Sequence, residues 1–151
     1  MTLESADFTA GGTISRPSMS TDCGGGNFTP QLHWSGVPEK TKSFALIVRD
    51  PDAPAPGGFF HWVLYDIPRA TRQLDPNALP AGTRTGKAST GQVAYYGPCP
   101  PPGLPHHYIF TLYALDVTSV AADTPLTGAQ LEQRIGNHAL AKATLEGIAS
   151  H

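Results

Sequence analysis

The chain is poor in charge, poor in cysteine and without a long apolar run, and each shortage excludes something. Charged residues are 15% of its 151 residues and the formal net charge is -2. No Lys/Arg-rich patch is available to neutralise phosphates, so a nucleic-acid partner is not expected. No stretch approaches the ~20 apolar residues of a membrane span, which argues against integral membrane association. The first fifteen residues carry Glu4 and Asp7 and no continuous apolar stretch, so no secretory leader is read there and the cytoplasm is the default compartment. Two cysteines, Cys23 and Cys99, do not make a disulfide scaffold, and in that compartment a reduced pair is the simpler expectation.

What is abundant is Gly, at 16 residues, and Pro, at 15. Both interrupt helices and both build turns, which predicts a loop-rich β architecture. Hydrophobic residues at 40% are enough for a packed core in one domain spanning 1–151. Ser43 to Arg49 is an apolar run ended by Asp50-Pro51 and predicts a strand buried on both faces. His61 to Ile67, closed by Pro68, and His107 to Leu115, rich in aromatic and β-branched residues, predict two more strands. Gln31 to Trp34 and Gln92 to Tyr95 are weaker candidates. Near the end, Thr127-Gly-Ala-Gln130 reads as a capping box opening a helix that carries Leu131 and Ile135 on one face. Gly136-Asn137 breaks it, and His138 to Ala149 is expected to resume as helix with Leu140, Ala143 and Ile148 inward. The fold class predicted is mainly β, an antiparallel-dominated sandwich with a short C-terminal helical segment.

Two segments are too specialised for ordinary turns. Asp50-Pro-Asp52-Ala-Pro54 follows the buried strand, and His61-Trp62 opens the next. Two carboxylates one residue apart repel, and a Pro-stiffened turn fixes their directions. The second segment is Tyr95-Tyr-Gly97-Pro98-Cys-Pro100-Pro-Pro-Gly103, followed by His106-His-Tyr108. Gly97 has no Cβ, so a ligand can approach its N–H closely, with His and Tyr donors beside it. Together these parts suit a phosphate-like group or a carboxylate. Backbone N–H groups and histidines donate to the anion, while Asp50 and Asp52 orient or protonate the histidines. A spare carboxylate would answer the amine of a zwitterion such as phosphoethanolamine. His107, between two inward positions, points away from the site by strand alternation, and Trp34 and Trp62 read as core.

These blocks resemble the signature pair of the phosphatidylethanolamine-binding proteins, closest to their short bacterial, Raf-kinase-inhibitor-like branch. Asn27-Phe-Thr-Pro30 with Leu32-x-Trp34, and Tyr113-Ala-Leu-Asp116, are similar to further stretches of that family, so the resemblance covers most of residues 8 to 148. It implies a β-sandwich with a small anion site lined by Asp50, Asp52, His61, Gly97, Pro98, Pro100, His106 and Tyr108. It also implies a cis peptide before Pro54. The run Asp22-Cys-Gly-Gly-Gly26 departs from the family's usual loop, lengthening it with glycine.

The function expected is binding of a small anion or phosphorylated head group, with modulation of a protein partner as an extension and no cofactor. No Ser or Lys sits inside either motif, so no catalytic nucleophile is assigned, and catalysis is not the expected role. Cys99 is the one exception, since a thiol beside backbone N–H donors and histidines would have a lowered pKa. One alternative is a metal-assisted hydrolase in which Asp50, Asp52, His61 and His106 hold a divalent ion. Another is inhibition of a protease or kinase through the pocket loops. Pairing of exposed strands would give a homodimer, although no residue fixes the number of subunits.

Overall fold

The structure, a computed structural model, describes residues 1–151. In chain order the elements are β1 (Thr2–Glu4), β2 (Leu32–Ser35), β3 (Ser43–Asp50), β4 (Phe59–Pro68), β5 (Gln73–Leu74), β6 (Arg84–Thr85), β7 (His106–Leu115), α1 (Gly128–Ile135) and β8 (Ala139–Ala149). One sheet has the order β1-β2-β5 and the other β6-β4-β3-β7-β8, and all their pairings are antiparallel. The sandwich foreseen from the strand pattern is therefore present.

The apolar run of β3 is central in the larger sheet, and period-2 alternation gives it two buried faces. Phe44, Leu46 and Val48 enter the core between the sheets, meeting Leu3, Leu32, Trp34 and Leu74 of the smaller sheet. Ala45 and Ile47 enter a second core on the opposite face, with Val63, Tyr65, Leu126, Leu131 and Ile135. That second core is covered by α1. Its capping box is complete, with Thr127 Oγ1 accepting from Gln130 N–H and Gln130 Oε1 accepting from Thr127 N–H.

Two bulges shape β4. Phe44 pairs with Ile67 and Leu46 with Leu64, so β4 carries an extra residue there. Asp66 takes a left-handed φ of 55°, and the extra residue returns Ile67 to the inner core. The Asp66 carboxylate then accepts from Ser119 Oγ and Val120 N–H, both at 2.9 Å, and ties down the loop before α1. Farther along, Val48 pairs with Trp62 but Arg49 with Phe60, which leaves His61 as the extra residue of a second bulge.

Several expectations are corrected. Residues His138 to Ala149 do not form a helix. His138 closes a short turn, and Ala139–Ala149 is β8, paired with β7 from His106↔Ala149 to Leu115↔Ala139. Ala, Leu, Lys and Glu favour helix in isolation, but the 10-residue β7 would otherwise leave a long unpaired edge beside the core. Strand periodicity replaces helical periodicity, so Ala143, Leu145, Gly147 and Ala149 turn inward while Leu140 is exposed. Gly147 has to be glycine, because a Cβ there would lie 2.6 Å from Ile14 Cγ1 and 2.9 Å from Phe8 Cε2. The free edge of β8 is covered in turn by residues 11–14: Ile14 N–H donates to Ile148 C=O, and Ile148 N–H donates to Gly12 C=O. Gln92 to Tyr95 is loop rather than strand.

Every peptide bond is trans, including the one before Pro54, where the resemblance implies a cis bond. The turn is closed without it, by Asp52 N–H donating to Asp50 Oδ1 at 2.8 Å and Ala55 N–H donating to Ala53 C=O at 2.8 Å. The cysteines are not free thiols. Cys23 and Cys99 are joined in a disulfide across 76 residues of chain, with Cα atoms 5.5 Å apart. The expectation of reduced cysteines rested on the compartment argument, and position in sequence carries no information on which loops meet. The bridge also removes the thiol that would have made Cys99 a nucleophile. No helix is long and apolar enough to cross a membrane.

Candidate functional site

Because β4 and β7 flank β3 antiparallel, the C-terminal end of β3 meets the N-terminal ends of both neighbours. Asp50, His61, His106 and Tyr108 therefore converge at one end of the larger sheet, from positions far apart in sequence. Around them opens a cavity of about 350 Å³. The turn after β3 supplies Ala53 and Pro54, β4 adds Phe59, and the loop before β7 supplies Tyr96, Cys99, Pro100 and Pro101.

His61 reaches the cavity because of its bulge. Trp62 already points into the inner core, so strict alternation would send His61 to the other face. The extra residue lets its ring meet Tyr108 edge-on at 5.1 Å between centroids, on the inner side. Tyr96 stacks on the ring at 5.9 Å with planes 12° apart. His61 Nδ1–H donates to the Tyr96 carbonyl at 2.6 Å, which fixes the tautomer and leaves Nε2 with no partner in the protein. Burial is the main influence on its pKa and pushes it below the usual histidine value, against smaller upward effects of the Tyr96 carbonyl and the Asp50 carboxylate.

Asp50 is 3% exposed and fully engaged. Oδ1 accepts from Asp52 N–H, and Oδ2 accepts from His106 Nδ1–H at 2.6 Å. His106 is thereby oriented, with its Nε2 left without a protein partner. Tyr108 is 1% exposed, and its hydroxyl has no hydrogen-bond partner. Burial first, then the nearby Asp50 and Asp52 carboxylates, raise its pKa, so it remains a protonated donor.

Of the residues singled out from the sequence, Asp50, His61, Pro100, His106 and Tyr108 line the cavity, and Asp52, Gly97 and Pro98 do not. Asp52 faces outward, where His107 donates to its Oδ2 from both N–H and Nδ1–H at 2.7 Å. The bonds from His107 lower the Asp52 pKa, and the bond to Asp52 raises that of His107. His107 is the outward residue that alternation requires. Gly97 N–H is consumed by Asn27 Oδ1 at 2.7 Å, and a Cβ on Gly97 would lie 2.3 Å from the Ser18 carbonyl oxygen. Glycine is needed there for packing against residues 18–20 rather than for approach by a ligand. Pro98 is buried, with its carbonyl accepting from Ser20 N–H.

With Asp52 turned to His107, the four-residue metal set is not assembled, and nowhere do three His, Cys, Asp or Glu side chains gather as an ion would require. Sequence reasoning missed Phe59, Thr90, Ala53 and Pro54 as lining residues and assigned no role to the Tyr96 carbonyl. No side-chain signal marks a carbonyl, although the adjoining Gly97-Pro98 pair marks the segment that presents it.

A family model described as phosphatidylethanolamine-binding protein matches residues 4–150. The UPF0098 protein YbcL of Escherichia coli is 40% identical over 134 residues, covering 83% of this chain and 73% of its own. The putative lipoprotein LppC of Mycobacterium tuberculosis is 36% identical over 148 residues, 97% of this chain and 71% of its own. The crystal structure of E. coli YbcL, described as a new member of the mammalian PEBP family, superposes with a TM-score of 0.94 at 33% identity, covering 99% and 98% of the two chains. Sequence match and fold agree, and the chain belongs to the phosphatidylethanolamine-binding protein family.

Proposed function

We propose that this protein binds a small anion, phosphate or the phosphoryl group of a head group such as phosphoethanolamine, in the cavity between Asp50, His61, His106 and Tyr108. The observation that carries the reading is Tyr108, a residue of the cavity lining whose buried hydroxyl has no hydrogen-bond partner. An unpaired buried hydroxyl costs free energy, and an oxyanion accepting from it recovers that cost. Once protonated, the two free Nε2 atoms become further donors to the anion, and Phe59, Pro54, Pro100 and Pro101 give the mouth an apolar rim for the rest of a ligand.

Calorimetric titration of O-phosphoethanolamine into the protein and into Tyr108→Phe tests this. Loss of a hydrogen bond to a charged group predicts affinity weaker by roughly tenfold to a hundredfold. Stability should be unchanged or higher, because the variant removes a polar group that has no partner. Equal affinity in the two proteins would dismiss the reading.

The pH dependence follows from His61, whose titratable neighbours are Asp50, His106, Tyr96 and Tyr108. With Nδ1 committed to Tyr96, the neutral ring offers Nε2 as an acceptor, and it donates to an anion only after taking a proton. A bound anion therefore raises the depressed pKa. Affinity climbs as pH falls from the bound-state value towards the free-state value, then levels off. Sulfate, whose charge is constant over about pH 8 to 5, is expected to bind more tightly by up to about tenfold per pH unit for each proton taken up. Titrations in buffers of different ionisation enthalpy read the proton directly, and affinity independent of pH would remove His61 from the contact set.

The disulfide and the relative named as a lipoprotein favour an oxidising compartment over the cytoplasm.

A further inference from the structure

We propose that the Cys23–Cys99 bridge is a thiol–disulfide exchange site through which a dithiol lowers the affinity of the pocket, an inference that rests on the anion-binding reading above. The bridge lies at the boundary between two differently held stretches of one loop. Before it, residues 95–98 are held to residues 18–27 by five hydrogen bonds. These are Tyr95 hydroxyl to Ser18 carbonyl, Asn27 Nδ2 to Tyr95 carbonyl, Tyr96 hydroxyl to Asp22 Oδ2, Gly97 N–H to Asn27 Oδ1 and Ser20 N–H to Pro98 carbonyl. Beyond it, no main-chain hydrogen bond anchors residues 99–105 before β7 begins. That stretch carries Pro100 and Pro101 of the cavity wall, and at its tip Leu104 is 86% exposed. The disulfide is thus the single strong tie on the segment that closes one side of the pocket.

The two sulfurs are not equivalent. Cys99 lines the cavity, whereas Cys23 is 8% exposed. A thiolate of the dithiol reaches Cys99 Sγ from the cavity side and forms a mixed disulfide as the Cys23–Cys99 bond breaks. Cys23 leaves with the electron pair and takes up a proton, its Sγ lying 3.7 Å from His151 Nδ1. The second thiol of the dithiol then attacks its own partner sulfur and releases Cys99 as a thiol. Two electrons and two protons pass to the protein, and the dithiol becomes a disulfide. Residues 95–98 keep their hydrogen bonds, so His61 keeps its Tyr96 acceptor, and what loosens is the wall formed by 99–105.

The test titrates O-phosphoethanolamine into the oxidised protein and into protein reduced with dithiothreitol, with circular dichroism to verify the fold. Amide relaxation is recorded for Gly103 and Leu104. If the freed segment occupies its closed position about one tenth of the time, the apparent affinity of the reduced form falls about tenfold. The order parameters of the two amides should drop below about 0.6. Equal affinities in the two states overturn the gate and leave the pocket reading standing. An oxidised protein that takes up no O-phosphoethanolamine overturns the pocket reading, and the gate with it. A second measurement starts from the oxidised protein. By reciprocity, saturating O-phosphoethanolamine must shift the thiol–disulfide equilibrium with dithiothreitol towards the bridge by the same factor, and an unchanged equilibrium also overturns the gate.

Discussion

Replacing Cys23 and Cys99 together by serine is expected to lower the stability of the fold by about 4 kcal/mol. The bridge closes a loop across 76 residues, and the entropy it withholds from the unfolded chain grows with the logarithm of that length. In a chain of this size such a loss moves the melting temperature down by about 10 °C. The native contacts offset little of it, because the hydrogen bonds between residues 18–27 and 95–98 are present with or without the bridge. Thermal unfolding of the double variant against the oxidised protein, at pH 7 without reductant, reads the effect. Coincident melting curves would mean that the two loops are held together by those hydrogen bonds alone.

Asp50→Ala should abolish the proposed anion site, weakening sulfate binding by about a hundredfold or more. Two groups depend on this carboxylate, the Asp52 N–H and His106 Nδ1–H. Its removal frees the His106 ring to rotate and deprives the turn after β3 of one of its two closing bonds. Charge-assisted bonds of this kind are worth roughly 1.5–3 kcal/mol each, and the loss of both removes the preorganisation on which a small ligand depends. Asp52→Ala is the matched control. Its backbone N–H remains, its side chain faces His107 outside the cavity, and sulfate affinity should change less than twofold. If the Asp52 variant loses binding as fully as the Asp50 variant, both carboxylates act on the ligand and the outward placement of Asp52 is wrong.

The contrast between these two aspartates marks how far the residues alone could be read. Order along the chain made the strands around Asp50, His61 and His106 legible, because each begins or ends an apolar run at a Pro or an Asp. Direction was not legible. Asp50 and Asp52 are two apart and would share a strand face, but the chain turns at Pro51, and the second carboxylate leaves with it. His61 points inward only because β4 carries an extra residue, and bulges leave no mark in hydrophobic periodicity. Gly97 was rightly singled out as a close-approach position, yet what approaches is the Ser18 carbonyl. At the C-terminus, helix propensity in Ala139–Ala149 gave way to an unpaired edge formed by residues some thirty positions earlier, which no local window contains. The capping box at Thr127 is local, and it stands as read. The disulfide depends entirely on which loops meet and was invisible.

The way β8 seals the larger sheet has a consequence for how the molecule is made. During synthesis β7 emerges before the strand that pairs with it, so a long edge next to the main core stands open until the last strand is delivered. β8 is covered in turn by residues 11–14, so segments far apart in sequence, around Thr13 and Ile148, must meet to complete the structure. Contacts of such wide sequence separation place folding among the slower topologies. In the meantime the nascent chain offers a template to any passing strand, a hazard that chaperones exist to cover. The cavity begins its life in the same interval, because Tyr108 and His106 lie on the strand that waits.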